Sequence, residues 1–178
     1  MNSKLLTLRK GLMILAGICC IHLGGCSSSS SSDVTVMIFS DLPLTAEDEI
    51  STYLANRTDV DKQQLKVNLF LPSAEKLMIE LVAGEGDVYL VEESLLPILF
   101  DPVMLEPLQV SADLVDSVNH YTGFNDRSNE EHVYALATAS DNQLFNHLGY
   151  SAETHAVAMM REHKLPDIAE AILDQLAQ

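Results

Sequence analysis

The chain has 178 residues, enough for one folded domain, and its formal net charge is −16. Three of its ten Lys and Arg residues, Lys4, Arg9 and Lys10, lie at the start, so the residues after position 25 carry seven basic against 26 acidic side chains, a charge of −19. Such a surface is repelled by nucleic acids and by anionic lipid headgroups. The composition therefore argues against a nucleic-acid partner and against membrane binding through a basic patch.

The first 25 residues have the pattern of an export signal. A basic start is followed by an apolar segment at residues 11–21 and by small residues that lead to a cysteine. The sequence Leu23, Gly24, Gly25, Cys26 resembles the lipobox of bacterial lipoproteins. This resemblance implies that a signal peptidase recognises the first three residues and that the Cys26 sulfur receives a diacylglyceryl group. The alternatives are a plain signal peptide or an uncleaved membrane helix, although a membrane span requires roughly 20 apolar residues.

The sequence after the signal divides into a tether and a domain. Residues 26–32 are Cys26 and six serines, which cannot bury apolar area and form a flexible spacer. Residues 33–178 are predicted to form a single α/β domain. Since Cys19 and Cys20 leave with the signal, Cys26 is the last remaining cysteine. We therefore expect no intrachain disulfide, no thiol nucleophile and no cysteine-ligated metal.

Three strands are predicted in the first half of the domain. Residues 34–39 form a β-branched, apolar run that is typical of a central strand covered on both faces. Residues 65–71 alternate between apolar and polar side chains, which indicates an edge strand, and residues 87–91 indicate a third strand. The short connections between these elements predict right-handed parallel units with the strand order 2-1-3.

Two helices are predicted to connect these strands. The first runs from Thr45 to Asn56, and Thr45 and Asp48 have the spacing of a capping box. The second has Ser73 as its N-cap and Gly84 at its C-terminal end. The residues of the second helix that are expected to face inward are Leu77, Met78, Leu81 and Val82.

The second half of the domain has a less regular pattern. It predicts a short helix at residues 95–100, a helix at 110–118, a loop at 121–131, a strand at 132–138, and helices at 143–147, 152–162 and 166–176. Met159 and Met160 are expected on the core face of the helix at 152–162. His155 and His163 are eight residues apart, about two helical turns, so one metal ion would not readily bridge them. They are interpreted as surface histidines.

Three segments of the domain carry a family resemblance. They are the segment from Ser73 to Tyr89 with its glycine turn and Asp-Val strand, Leu105-Glu106-Pro107-Leu108, and Val133-Tyr134-Ala135-Leu136 followed by Asp141-Asn142. Together they resemble the first lobe of the two-lobed extracellular solute-binding proteins of ABC importers. The resemblance implies the three-layer, mostly parallel sheet of a type II periplasmic-binding-protein lobe, with a flavodoxin-like or other three-layer fold as the alternative. Members of that family close two lobes on a ligand, whereas this chain has room for one.

The carboxyl ends of the predicted parallel strands bring polar side chains together. In an open parallel sheet, ligands bind outside this edge, where the strand order reverses. The rule selects the candidate ligand-binding residues Ser40, Asp41, Ser73, Glu92 and Glu93. Their carboxylates and hydroxyls suit a polar or cationic ligand. The alternative is that Ser73 only caps a helix and that the carboxylates are solvated.

The sequence contains no motif for catalysis. A Gly-rich phosphate loop, a Gly-x-Ser-x-Gly elbow and a His-Glu-x-x-His helix are all missing from it. We therefore expect no catalytic residues, no cofactor and no metal, and a binding protein anchored by acyl chains on the extracytoplasmic side of the cell membrane or outer membrane. Its expected partner is a small polar solute or a membrane or envelope protein. A small cell-surface hydrolase and a structural lipoprotein without a ligand are the alternatives.

Overall fold

The fold is a mixed sheet with helices on both faces. The computed structural model describes residues 33–109, 119–125, 127–150 and 154–178. The strands in these residues are β1 (Val34–Phe39), β2 (Leu65–Phe70), β3 (Val88–Glu92), β4 (His120–Asn125), β5 (Glu130–Ala137) and β6 (His155–Met159). The helices are α1 (Glu47–Thr58), α2 (Ala74–Ala83), α3 (Leu96–Leu99), α4 (Gln143–Leu148) and α5 (Pro166–Ala177). The strands form one sheet in the order β2-β1-β3-β6-β5-β4.

The first three strands form the parallel part of the sheet, as the sequence predicts. Strand β1 pairs in parallel with β2 on one side and with β3 on the other, so that Ile38 lies opposite both Leu69 and Leu90. All six residues of β1 are buried. Because both of its faces are covered, β1 shows a continuous apolar run rather than alternation. The predicted order 2-1-3 and the edge position of β2 are confirmed.

The other half of the sheet is antiparallel, so the predicted mostly parallel sheet is wrong. Strand β6 runs antiparallel to both β3 and β5, and β4 runs antiparallel to β5. The segment predicted as a helix at 152–162 contains the buried strand β6. The segment predicted as a loop at 121–131 contains most of β4 and the start of β5. Three of the five strand pairings in the described residues are thus antiparallel.

The helices cover two apolar cores, one on each face of the sheet. One core contains side chains of α1, α4 and α5, such as Ile50, Phe145 and Leu173, against the sheet. The other contains side chains of α2 and α3, such as Leu77 and Leu99. This confirms a three-layer arrangement. No helix in the described part of the chain has the length and apolar character needed to cross a membrane.

Two predicted details of the helices are wrong. Helix α1 begins at Glu47 after a 3-10 turn, and no side chain forms the capping box that Thr45 and Asp48 suggested. In α2, Leu77 is buried but Met78 and Val82 are exposed rather than inward-facing. The ends of α2 do match the prediction, because the Ser73 hydroxyl accepts a hydrogen bond from the Lys76 amide and Gly84 adopts a left-handed conformation. The predicted helix at 110–118, the signal at 1–25 and the tether at 26–32 lie outside the described residues.

A buried carboxylate joins three segments at the amino end of β3. Asp87 accepts hydrogen bonds from the Thr35 amide at 2.7 Å and from the Lys164 amide at 2.8 Å. Backbone hydrogen bonds also link Asp87 to Thr35 and to Met160. Asp87 therefore connects β1, β3 and the segment that follows β6. This gives a structural reason for the Asp-Val sequence at the start of the third strand.

Candidate functional site

One pocket lies at the carboxyl ends of β1 and β3, where the sequence predicts a ligand site. Its volume is about 120 Å³. The residues that line it are Ser40, Asp41, Leu42, Glu92, Phe145, Tyr150 and His155. Three of the five predicted ligand-binding residues, Ser40, Asp41 and Glu92, thus meet at one place. The pocket also contains a histidine and two aromatic residues that the sequence did not assign to it.

The polar residues of the pocket come from neighbouring strands. Ser40 directly follows β1, and its amide donates to the Phe70 carbonyl at 3.0 Å, which fixes the end of that strand. Glu92 is the last residue of β3, and His155 is the first residue of β6. These two residues lie directly opposite each other in the antiparallel register. Because directly opposite residues project from the same face of a sheet, both side chains lie on the face covered by α1, α4 and α5.

His155 is the deepest ionisable side chain of the pocket. It is only 2% exposed, and its Nε2 atom lies 3.1 Å from the Ser40 hydroxyl oxygen. Its ring packs against the Phe145 ring with 4.6 Å between centroids. The interpretation of His155 as a surface histidine is therefore wrong. No local pattern identifies this position, because burial of His155 depends on the pairing of β6 with β3 and β5, which are separate segments of the chain.

The other two predicted residues do not line this pocket. Ser73 caps α2, where its hydroxyl accepts from the Lys76 amide at 3.3 Å. Glu93 accepts a hydrogen bond from the Tyr121 hydroxyl at 2.5 Å. Burial and this carboxylate together raise the pKa of Tyr121 to about 12. Ser73 and Glu93 thus have structural partners of their own in α2 and β4.

The pocket combines groups that can recognise a positively charged, hydrogen-bonding ligand. Asp41 and Glu92 supply carboxylate oxygens, Ser40 supplies a hydroxyl, and His155 supplies an imidazole. Phe145 and Tyr150 give the pocket an apolar wall. Within the described residues, no cluster of three or more His, Cys, Asp or Glu side chains has the geometry to hold a metal ion.

Comparison with known proteins shows a similarity to a bacterial protein. The chain is 27% identical over 144 residues to "Putative lipoprotein YteS" of Bacillus subtilis (strain 168), a match that covers 81% of this chain and 78% of that protein. The relative is described as a lipoprotein. No family model matches the chain, and no solved structure matches it.

Proposed function

We propose that the chain is a lipid-anchored, extracytoplasmic binding protein that holds a small, amine-bearing polar solute in the pocket described above. The observation that carries the proposal is the convergence of Ser40, Asp41, Glu92 and His155 on one pocket from strands that are separated in sequence. This is the edge of the parallel strands at which open α/β sheets bind their ligands. Among the described residues, this group of polar side chains around one pocket most resembles a binding site.

Electrostatics favour a cationic group over an anionic one. Two carboxylates line the pocket, and the chain as a whole is strongly acidic. An ammonium group about 4 Å from a carboxylate has a Coulomb attraction of roughly 4 kcal/mol at the effective dielectric constant of a protein surface, and desolvation of the two groups offsets most of it. An anion in the same position would be repelled by a similar amount. The volume of about 120 Å³ suits a small solute or the amine-bearing end of a larger one.

The lipid anchor is supported by the sequence and by the relative. The residues Leu23, Gly24, Gly25 and Cys26 have the lipobox pattern, and the similar protein is described as a lipoprotein. We expect Cys26 to carry the acyl chains that retain the chain in the membrane fraction. Mass spectrometry of the mature N-terminal peptide should show an acylated cysteine in the wild type. The Cys26→Ser variant should lose both the modification and the membrane retention, and an unmodified wild-type cysteine would contradict the anchor.

Kinship with one lobe of a solute-binding protein is part of the proposal. The parallel order β2-β1-β3 and the three layers agree with what that resemblance implies. The antiparallel strands β4, β5 and β6 complete the sheet in this chain. One such lobe by itself offers its solute an open edge of the sheet, and modest affinity is expected for the domain alone.

A thermal-shift measurement tests the solute class. Ethanolamine and ethylene glycol are matched probes, because they differ at one position only. Ethanolamine carries an ammonium group where ethylene glycol carries its second hydroxyl group. A Kd of about 1 mM corresponds to roughly −1 kcal/mol for each heavy atom of ethanolamine, within the range for very small ligands. At ten times that Kd, ethanolamine should stabilise the chain by about 1.4 kcal/mol and raise Tm by roughly 3 to 6 °C. Equal shifts from both probes, or from sodium chloride at the same ionic strength, would contradict the proposal.

A hydrolase is the second candidate, because the Ser40 hydroxyl lies 3.1 Å from His155 Nε2. A serine within hydrogen-bond distance of a histidine base is the core of nucleophilic acyl transfer. Against this role, Ser40 is 2% exposed, so a substrate carbonyl would have little access to its hydroxyl. A fluorophosphonate probe separates the two functions. Labelling of Ser40 that disappears in Ser40→Ala would favour the hydrolase, and the absence of labelling would favour binding.

A further inference from the structure

The outer face of α2 exposes three neighbouring apolar side chains. Met78, Ile79 and Val82 are 49%, 60% and 90% exposed. Together with Glu75 they line a shallow, open hollow on the protein surface. Residues three and four positions apart lie side by side on a helix, so these side chains form a continuous surface, here called the α2 patch. Scattered apolar residues on a surface are ordinary, whereas a contiguous apolar group indicates an interaction site.

The fold itself does not require this apolar surface. Helix α2 is held to the sheet by its opposite face, where Leu77 is fully buried, and its ends are fixed by Ser73 and Gly84. Replacing Val82 with a polar residue would leave those contacts in place. Most of the Val82 side chain is therefore apolar surface that does not pack against the described residues.

The border of the α2 patch is acidic. Glu75 lines the hollow at one end, and Glu85 is exposed just beyond the helix at the other. The lysine of this helix, Lys76, is directed elsewhere, since it pairs with Glu80 and lies 4.7 Å from the centre of the Phe70 ring. A partner that covers the patch therefore meets apolar side chains flanked by negative charge.

We propose that the α2 patch docks an envelope protein whose apolar contact residues are flanked by Lys and Arg. Charge complementarity selects this occupant, because basic residues would pair with Glu75 and Glu85 at the two ends of the patch. A second copy of the chain would bring together two strongly negative molecules. An anionic membrane surface would be repelled for the same reason.

A synthetic amphipathic helix is a suitable probe. One peptide carries leucines along one face with lysines on both flanks, and a matched peptide carries glutamates in place of the lysines. Binding to the full chain in phosphatidylcholine nanodiscs is followed by fluorescence anisotropy of the labelled peptide. The Val82→Ser variant tests the patch, and Val103→Ser is its control, because Val103 is an exposed valine outside the patch at 65% exposure. The wild type and both variants are placed in the same lipid, so the signal from peptide bound to nanodiscs without protein is subtracted from each measurement.

The lysine peptide should bind the wild type and Val103→Ser equally, and Val82→Ser about tenfold more weakly. The glutamate peptide should bind the wild type at least tenfold more weakly than the lysine peptide. Equal binding of both peptides, or no effect of Val82→Ser, would overturn the proposal. Energy transfer between two labelled copies that decreases in Val82→Ser would assign the patch to a second copy and would also overturn it.

Discussion

Removal of the Asp87 carboxylate should destabilise the domain strongly. Its two oxygens accept hydrogen bonds from the buried amide of Thr35 at 2.7 Å and, in a partly buried contact, from the amide of Lys164 at 2.8 Å. A hydrogen bond to a charged group contributes about 1.5 to 3 kcal/mol, and loss of its acceptor leaves the buried donor without a partner. Asp87→Ala is therefore expected to cost about 3 to 5 kcal/mol, a large part of a total stability of roughly 5 to 15 kcal/mol. Asp87→Asn keeps one acceptor oxygen and should cost about 1.5 to 3 kcal/mol.

Urea unfolding and thermal unfolding, both followed by circular dichroism, measure these costs. The expected fall in Tm is roughly 6 to 20 °C for Asp87→Ala. The control is Asp101→Ala, because Asp101 also accepts a backbone hydrogen bond, from the Val103 amide at 2.8 Å, but in an exposed loop where water can replace it. Its cost should stay below about 1 kcal/mol. If Asp87→Ala and Asp101→Ala lost equal stability, burial of the Asp87 carboxylate would not be the cause, and the reasoning would be refuted.

Three further predictions concern single contacts. Ser73→Ala removes the helix cap and should lower the free energy of unfolding in urea by about 1 kcal/mol, while ethanolamine binding stays unchanged. Weakened ethanolamine binding would mean that Ser73 contacts the ligand. Partial burial of its carboxyl group and the neighbouring Glu170 raise the pKa of Asp174, so its contribution to stability is complete below pH 3.8 and is lost as the pH rises through its folded pKa. Asp174→Asn should thus stabilise the domain at pH 7, by less than about 0.5 kcal/mol at this exposed position, and not at pH 3; equal effects at both pH values would contradict this. Glu93→Gln removes a negative charge beside Tyr121 and should lower the pKa of the Tyr121 hydroxyl from about 12. The pKa is measured by titration of the tyrosinate absorbance, and an unchanged titration would mean that the charge of Glu93 has no effect on Tyr121.

The first half of the fold was predictable because local patterns determine it. The apolar run at 34–39, the alternation at 65–71 and the cap and glycine at the ends of α2 each specify an element without reference to distant residues. Short connections then permit only a parallel arrangement of the three strands. Three of the pocket residues followed from this arrangement, because the carboxyl ends of parallel strands share one edge.

The second half was predicted only in part: the strand at 132–138 and the helices at 143–147 and 166–176 correspond to β5, α4 and α5, whereas β4 and β6 were missed because long-range pairing determines them. The buried strand β6 contains Ala and Met residues that favour helices, and it shows no alternation because both of its faces are covered. In β4, Gly123 suggested a loop, but a side chain at this position would lie 2.6 Å from Pro102, so glycine permits the close approach of two segments. Strands β4 and β6 and the antiparallel pairing therefore became visible only in the folded chain, and His155 became part of the site with β6.

The outward face of α2 shows a different limit of sequence analysis. Apolar residues at positions 77, 78, 79, 81 and 82 surround much of the helix, so periodicity alone cannot decide which of them face the core. The structure buries Leu77 and exposes Met78, Ile79 and Val82. An apolar residue that the fold leaves exposed indicates an interaction only after the position of the sheet is known.

Calorimetric titration of the chain with ethanolamine tests the proposed binding site most directly. The wild type should bind with a saturable heat, and Asp41→Asn should bind about tenfold more weakly, a loss of about 1.4 kcal/mol. The control variant Asp33→Asn removes the same charge at a position that does not line the pocket, and it should bind like the wild type. If Asp41→Asn and Asp33→Asn both bound as the wild type does, or if ethylene glycol bound as tightly as ethanolamine, the pocket would not be a site for amine-bearing solutes.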